Sequence, residues 1–277
     1  MMGNIVPVAQ PGPLPATALV TGGAGALGLE IARAIAPGRR VALIDVDPQV
    51  KEVAATLPDA IAMTCDLSDS EALSDIYREV FDAFGPVGVV VHCAGVAPVA
   101  PFLDTDRAMF QASLNVNLLA GFDIFRLAAL DLISQGLAGR FVSISSISGA
   151  RAGYARTAYG TAKAALIHLS GQMALELGPY GITSNTVAPG PVDTPLSRER
   201  HTAEARADYQ RTIPMARYGE AAEVARAVAF LAAEESSYIS GHTLFVDGGY
   251  MSAGMGVSTA HSAAAIRRVQ AVAKEEL

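Results

Sequence analysis

From residue 17 the sequence alternates short apolar runs with longer segments whose apolar residues recur at three- and four-residue spacing, with no linker-like break. The runs Thr17–Thr21, Arg40–Asp45, Ala60–Cys65, Val87–His92, Arg140–Ser145, Thr183–Val187 and Thr243–Val246 predict strands. Several are rich in Val and Ile without polar alternation, the pattern of parallel strands covered on both faces. The segments between them, Ala26–Ala36, Asp69–Phe84, Asp106–Gln135, Ala155–Leu177 and Ala221–Ala233, predict helices. Strand, helix, strand in repetition specifies an α/β fold, a Rossmann-type doubly wound parallel sheet of about seven strands with helices on both faces. Residues 17–253 form one domain on this reading, and residues 1–16, with four prolines, form an extended tail. Residues 195–220 are charged, Arg-rich and weakly periodic, a pattern that fits an active-site lid and equally an ordinary surface helix. Residues 254–277 carry a short Ala-rich helix pattern and read as a C-terminal extension.

Composition narrows the function. A net charge of −7 disfavours nucleic acid and anionic membranes as partners. No uncharged apolar run is long enough to span a bilayer, and the N-terminus lacks the basic and apolar regions of a signal peptide. The two cysteines form no CxxC pair and the five histidines no HxxxH pair, so no metal site or disulfide framework is expected and a reduced, cytoplasmic setting fits. Small-molecule chemistry is the remaining class.

Two constellations carry that chemistry. After the first strand and before the first helix stands Thr21-Gly22-Gly23-Ala24-Gly25-Ala26-Leu27-Gly28. Glycines there permit a tight turn and close backbone approach to a pyrophosphate, and the helix N-terminus favours negative charge. Asp45 ends the second strand, where its carboxylate can accept the adenosine ribose hydroxyls and repel a 2′-phosphate, which predicts NAD over NADP. Asp66, at the tip of the third strand, can bond the adenine amino group with Leu67 backing the ring, although capping by Ser68 or Asp69 explains the same local polarity.

The second constellation is Tyr159-Gly-Thr-Ala-Lys163, whose phenol and ammonium project on one helix face. A nearby cation lowers a phenol pKa and equips it for proton transfer at neutral pH. Lys163 is one of only three lysines in a chain that otherwise uses arginine. Ser145 or Ser146, at the end of the fifth strand, can hold a substrate oxygen.

Together with His92-Cys-Ala-Gly95, Asn117 in Asn115-Val-Asn-Leu, Pro189-Gly190 and Val246-Asp-Gly-Gly249, these segments resemble the short-chain dehydrogenase/reductase superfamily, in its shorter single-domain branch, from about Thr17 to Tyr250. The resemblance implies a catalytic set of Asn117, Ser146, Tyr159 and Lys163, and so selects Ser146 of the two serines. Tyr159 is then the general acid/base, Lys163 binds the nicotinamide ribose and lowers the Tyr159 pKa, and Asn117 kinks its helix and holds a relay water. It further implies a cofactor surface of Gly22, Gly25, Ala26, Leu27, Gly28, Asp45, Asp66, Leu67, Ala94, Gly95, Tyr159, Lys163, Pro189, Gly190, Val192 and Thr194. Two departures stand out: Ala26 replaces a glycine of the usual fingerprint, and His92-Cys93 replaces two asparagines, read here as structural. The resemblance implies a homotetramer built on the Asp106–Gln135 and Ala155–Leu177 helices. The expected reaction is NAD-dependent interconversion of a secondary alcohol and its ketone. A polyol, sugar or cyclic dihydrodiol is a candidate substrate, a 3-oxoacyl thioester less so, and a non-catalytic dinucleotide sensor is the rival reading. Val96–Leu103 suggests an apolar substrate wall, whereas Arg151, Tyr154, Arg156 and Arg198 suit a polar or anionic substrate.

Overall fold

Seven parallel strands form one sheet: β1 Thr17–Thr21, β2 Arg40–Asp45, β3 Ala60–Thr64, β4 Val87–His92, β5 Gly139–Ile144, β6 Ile182–Pro189 and β7 Thr243–Val246, in the order β3-β2-β1-β4-β5-β6-β7. The computed structural model describes residues 11–254, 256 and 260–275. The helices are α1 Ala26–Ile35, α2 Val50–Ala55, α3 Ser70–Phe84, α4 Arg107–Leu114, α5 Ala120–Gln135, α6 Thr157–Leu177, α7 Pro195–Arg200, α8 Ala203–Thr212, α9 Ala221–Ala232 and α10 Ala263–Glu275.

Successive strand residues point to opposite faces. Ala18 and Val20 of β1 therefore pack under α1, α2 and α9 with Ile31, Ile35, Val228 and Leu231, while Leu19 packs under α3 and α5 with Leu73, Val80, Ile124 and Phe125. Each fully buried Leu, Ile or Phe contributes about 1.5–3 kcal/mol, so both faces hold the helices down. The chain winds outward from β1 to β3 and then crosses to β4 on the other side of β1. The reversal leaves a crevice at the carboxyl ends of β1 and β4.

Three local features depart from the periodic reading. The single helix expected over Asp106–Gln135 is interrupted by a π turn at Asn115–Leu119, between α4 and α5. The helix expected from Ala155 starts at Thr157, because Ala155 takes a φ of +58° and Arg156 becomes the N-cap. The short α2 was not expected, its six residues being too few to show a period. Residues 195–220 resolve into α7, α8 and a following loop.

Of the expected tail, residues 1–10 lie outside the described residues. Residues 11–16 run across the amino ends of β4, β5 and β6: the Gly12 N–H donates to the Gly136 carbonyl at 2.7 Å, and Leu14 packs on the core. In the expected extension α10 is present, whereas residues 255, 257–259, 276 and 277 lie outside the described residues. No described helix is long and apolar enough to cross a membrane.

Candidate active site

The turn after β1 closes because of two glycines. Gly22 has a φ of +74°, and a Cβ there would lie 2.7 Å from the Ala94 nitrogen; a Cβ at Gly28 would lie 2.0 Å from the Gly22 carbonyl oxygen. Gly25 is the N-cap of α1 and offers no side-chain cap, and the first turn of α1 holds no acidic residue. Its leading N–H groups are thus free to meet an anion. Asp45 stands beside this turn, its Oδ2 accepting the Ala24 N–H at 2.9 Å and its Oδ1 the Asp47 N–H at 3.0 Å.

A cleft of about 910 Å³ opens over these groups. Every residue expected on the cofactor surface lines it: Gly22, Gly25, Ala26, Leu27, Gly28, Asp45, Asp66, Leu67, Ala94, Gly95, Tyr159, Lys163, Pro189, Gly190, Val192 and Thr194. Ser146 lines it as well, whereas Asn117 lies buried outside the lining. Asp66 accepts the N–H and the hydroxyl of Ser68, which hold its carboxyl below the usual range; Asp69, not Ser68, caps α3. Thr194 caps α7 through the Ser197 N–H. Lining residues that were not anticipated include Val46, Ser68, Asn115, Val116 and Leu196. Val46 directly follows Asp45 and is 65% exposed, a property of the packed structure that the sequence does not signal.

At the other end of the cleft the Lys163 ammonium donates to the Ile144 carbonyl at 2.8 Å, and burial lowers its pKa to about 8. The Ser145 hydroxyl donates to the Lys163 carbonyl at 2.9 Å, and Ser146 Oγ accepts the Ser148 N–H at 3.1 Å. Lys163 Nζ and the Arg156 guanidinium each lie 5.9 Å from the centre of the Tyr159 ring. The phenol is not lowered as expected. Burial pushes it above the ordinary value, opposed by the Ser146 hydroxyl and then by Arg156.

Asn117 sits within the π turn. Its Nδ2 donates to the Val96 and Ser113 carbonyls at 2.8 and 2.9 Å, and its Oδ1 is buried without a partner. A Cβ at Gly95 would lie 2.6 Å from that oxygen and 3.3 Å from Lys163 Nζ, so Asn117 and Lys163 converge on the backbone of Gly95. His92 is fully buried with Nδ1 2.9 Å from Thr21 Oγ1, which also accepts the Cys93 and Ala94 N–H groups. This arrangement ties the ends of β1 and β4 together.

Sheet order, glycine turn and the Ser146–Tyr159–Lys163 grouping in one cleft define a dinucleotide-binding oxidoreductase. Residues 22–251 match the family model described as enoyl-(acyl carrier protein) reductase. The chain is 34% identical over 200 residues to L-rhamnose 1-dehydrogenase (NAD(P)(+)) of Azotobacter vinelandii, covering 72% of this chain and 78% of that protein. It is 37% identical to the 3-oxoacyl-(acyl-carrier-protein) reductase MabA of Mycobacterium avium, with 83% and 88% covered, and 35% identical to L-xylulose reductase of Mus musculus, with 84% and 96% covered. The crystal structure of a putative gluconate dehydrogenase from Agrobacterium tumefaciens superimposes with a TM-score of 0.83 at 28% identity, over 87% of this chain and 98% of that one. The chain belongs to the short-chain dehydrogenase/reductase superfamily, enzymes that use a nicotinamide dinucleotide on small-molecule alcohols and ketones.

Proposed function

We propose that the protein is an NAD-dependent oxidoreductase that interconverts a secondary alcohol and its ketone, with Tyr159 as general acid/base. The observation that carries this reading is the placement of Tyr159, Ser146 and Lys163 in the same cleft as the Asp45 carboxylate and the uncapped start of α1. These groups fit the cofactor. The α1 N-terminus suits a pyrophosphate, Asp45 suits ribose hydroxyls, Asp66 and Leu67 suit adenine, and Val192 and Thr194 suit a carboxamide. When bound, NAD supplies the hydride acceptor or donor.

The chain's own residues manage the proton. Ser146 holds the substrate oxygen, and Tyr159 takes or gives the hydroxyl proton as the carbon changes oxidation state, a contribution of about 10²–10⁴-fold. Lys163 holds the ribose, and Asn117, with its free buried Oδ1, continues the proton path. Asp45 carries the NAD preference, since a 2′-phosphate would meet a carboxylate that two backbone N–H groups fix in place.

The relatives that act on rhamnose and xylulose support a polyol or sugar as the substrate class. Residues 17–253 act as one domain with residues 195–220 as lid. Exposed Leu119, Phe122 and Leu130 along α5 and its π turn, with Leu175 on α6, support a homotetramer that sedimentation would test, in a cytoplasmic setting. The direct test measures NADH and NADPH formation over a panel of secondary alcohols. NADH formation that disappears in Tyr159→Phe while NAD binding persists is the expected result; turnover surviving in that variant refutes the mechanism.

A further inference from the structure

His92, the last residue of β4, is a fully buried titratable group with no part in the proposed proton path. Its ring is held from two directions. Thr21 Oγ1 accepts the Cys93 and Ala94 N–H groups at 3.2 Å each, which occupies both lone pairs, so its own proton goes to His92 Nδ1 at 2.9 Å. The ring proton of the neutral imidazole therefore sits on Nε2, and burial, which lowers the pKa to about 3, keeps the ring neutral. Phe125 of α5 meets the ring in a T-shaped contact with centres 6.4 Å apart, and Phe141 of β5 stacks on Phe125 at 5.2 Å. The imidazole also abuts Gly121, where a Cβ would lie 2.8 Å from His92 Cδ2 and 3.2 Å from Nε2.

Gly121 is the second residue of α5, two positions past the π turn that carries Asn117. A methyl there would collide with a ring that cannot swing aside, so imidazole and glycine together fix how closely the start of α5 approaches β4. The same strand end receives Asn117: four residues past His92, the Val96 carbonyl accepts Asn117 Nδ2 at 2.8 Å. Before the turn, α4 packs instead on α6. A helix seated on different partners at its two ends must absorb any mismatch in phase between them, and the π turn is where this one does so. His92 Nε2 is buried without a partner at hydrogen-bond geometry, and the Val116 and Asn117 backbone groups partly offset the effect of burial on the ring.

Resting on the dehydrogenase reading above, we propose that His92 is a positioning residue for Asn117. The imidazole, held by Thr21 and Phe125, seats Gly121 and so sets the rotation of the chain through Asn115–Leu119 at which Asn117 reaches Val96 and presents Oδ1 beside Gly95 and Lys163. The ring itself transfers no proton. Thr21 directly precedes the glycine turn, so one buried side chain ties the turn that meets the cofactor to the residue that continues the proton path.

The test compares His92→Asn, Gly121→Ala and the two together in the full chain. Hydrogen exchange read by mass spectrometry follows the backbone of residues 115–122 with no substrate present. His92→Asn opens space beside Gly121 and should speed exchange there by at least about tenfold, with α3 and α9 little changed. Adding Gly121→Ala refills part of that space and should return exchange to within about threefold of the unaltered protein. In kinetics, His92→Asn should lower kcat about tenfold to a hundredfold while NAD affinity stays within about threefold, and it should lower kcat no further in a chain that already carries Asn117→Ala. Exchange at 115–122 that is unchanged in His92→Asn, or raised equally in α3 and α9, overturns the proposal. So does a double variant that exchanges no more slowly than His92→Asn, or a kcat loss that is undiminished in the Asn117→Ala chain. If Gly121→Ala fails to fold, His92→Asn alone decides. Because exchange needs no turnover, failure of the dehydrogenase reading is seen separately, as NADH formation that is absent or persists in Tyr159→Phe.

Discussion

Lys163 and Ile144 are joined by a single hydrogen bond, ammonium to carbonyl at 2.8 Å, that ties the middle of α6 to the last residue of β5 and leaves the lysine 2% exposed. The Ser145 hydroxyl returns to the Lys163 carbonyl, so side chain and backbone of one residue are both anchored to the same strand end. The arrangement aims the ammonium into the cleft at the cost of burying a charge.

That cost can be measured. With its pKa lowered to about 8, folded Lys163 gives up its proton before the unfolded chain does. The unfolded state therefore binds more protons as pH rises from 8 towards the ordinary lysine value, and stability increases across that window; below pH 8 the penalty is fully present. Lys163→Met is expected to lower turnover at least about a hundredfold. It should also raise the melting temperature of the ligand-free protein at pH 7, with the gain shrinking above pH 8. Calorimetry at pH 7 and pH 9 checks both signs; a variant that melts lower at both refutes the stored cost.

Asp45 governs cofactor choice in the proposed function. Wild-type kcat/KM should favour NAD over NADP by more than about tenfold, and Asp45→Ser should narrow the ratio chiefly by improving NADP, because it removes a fixed negative charge from the 2′ position. Initial rates with both cofactors decide. An unchanged ratio in Asp45→Ser shows that another group sets the preference.

His92 makes the fold acid-sensitive. Burial first, and Lys163 second, lower its pKa to about 3. Between the ordinary imidazole range and pH 3 the unfolded chain takes a proton that the folded chain refuses, so stability falls as pH drops through that window, by up to about 1.4 kcal/mol per unit. The melting temperature of His92→Asn should fall less steeply between pH 6.5 and 4 than that of the wild type. Parallel slopes would assign the acid sensitivity elsewhere.

Gly95→Ala places a methyl against Asn117 Oδ1 and Lys163 Nζ. Asn117 cannot swing aside without breaking its bonds to Val96 and Ser113. Overpacking of this kind costs about 1–3 kcal/mol, and turnover is expected to fall more than tenfold because both displaced groups serve proton transfer. Steady-state kinetics and thermal melting check the pair of effects; full activity would show that the two side chains do not act at this point.

The sheet was legible because buried parallel strands lack polar alternation, and all seven strands lie within a residue or two of their expected bounds; β6 runs on to Pro189, where it still pairs with Val246 of β7. Asp45, Ser146, Tyr159 and Lys163 were readable from spacing and resemblance, since strand ends and a four-residue helical step are local geometry. The π turn was not. Residues 106–135 keep a helical pattern throughout; the resemblance implied a kink at Asn117, but not that it is a five-residue π turn whose Asn117 bonds the Val96 carbonyl. The phenol's environment was also out of reach, because burial that outweighs a neighbouring cation is a property of the packed site.

The π turn at Asn115–Leu119 makes α4 and α5 one helix with a surplus residue. Each α-helical residue turns the chain about the axis by about 100°, so removing Asn115 or Val116 would allow a regular helix to form across the junction and would rotate Asn117 relative to α4, away from the Val96 carbonyl. The shorter chain would be the better helix and the poorer enzyme. Regularity and register compete at this point, and the fold keeps the irregular solution because only that one turns a polar side chain inward beneath the cleft.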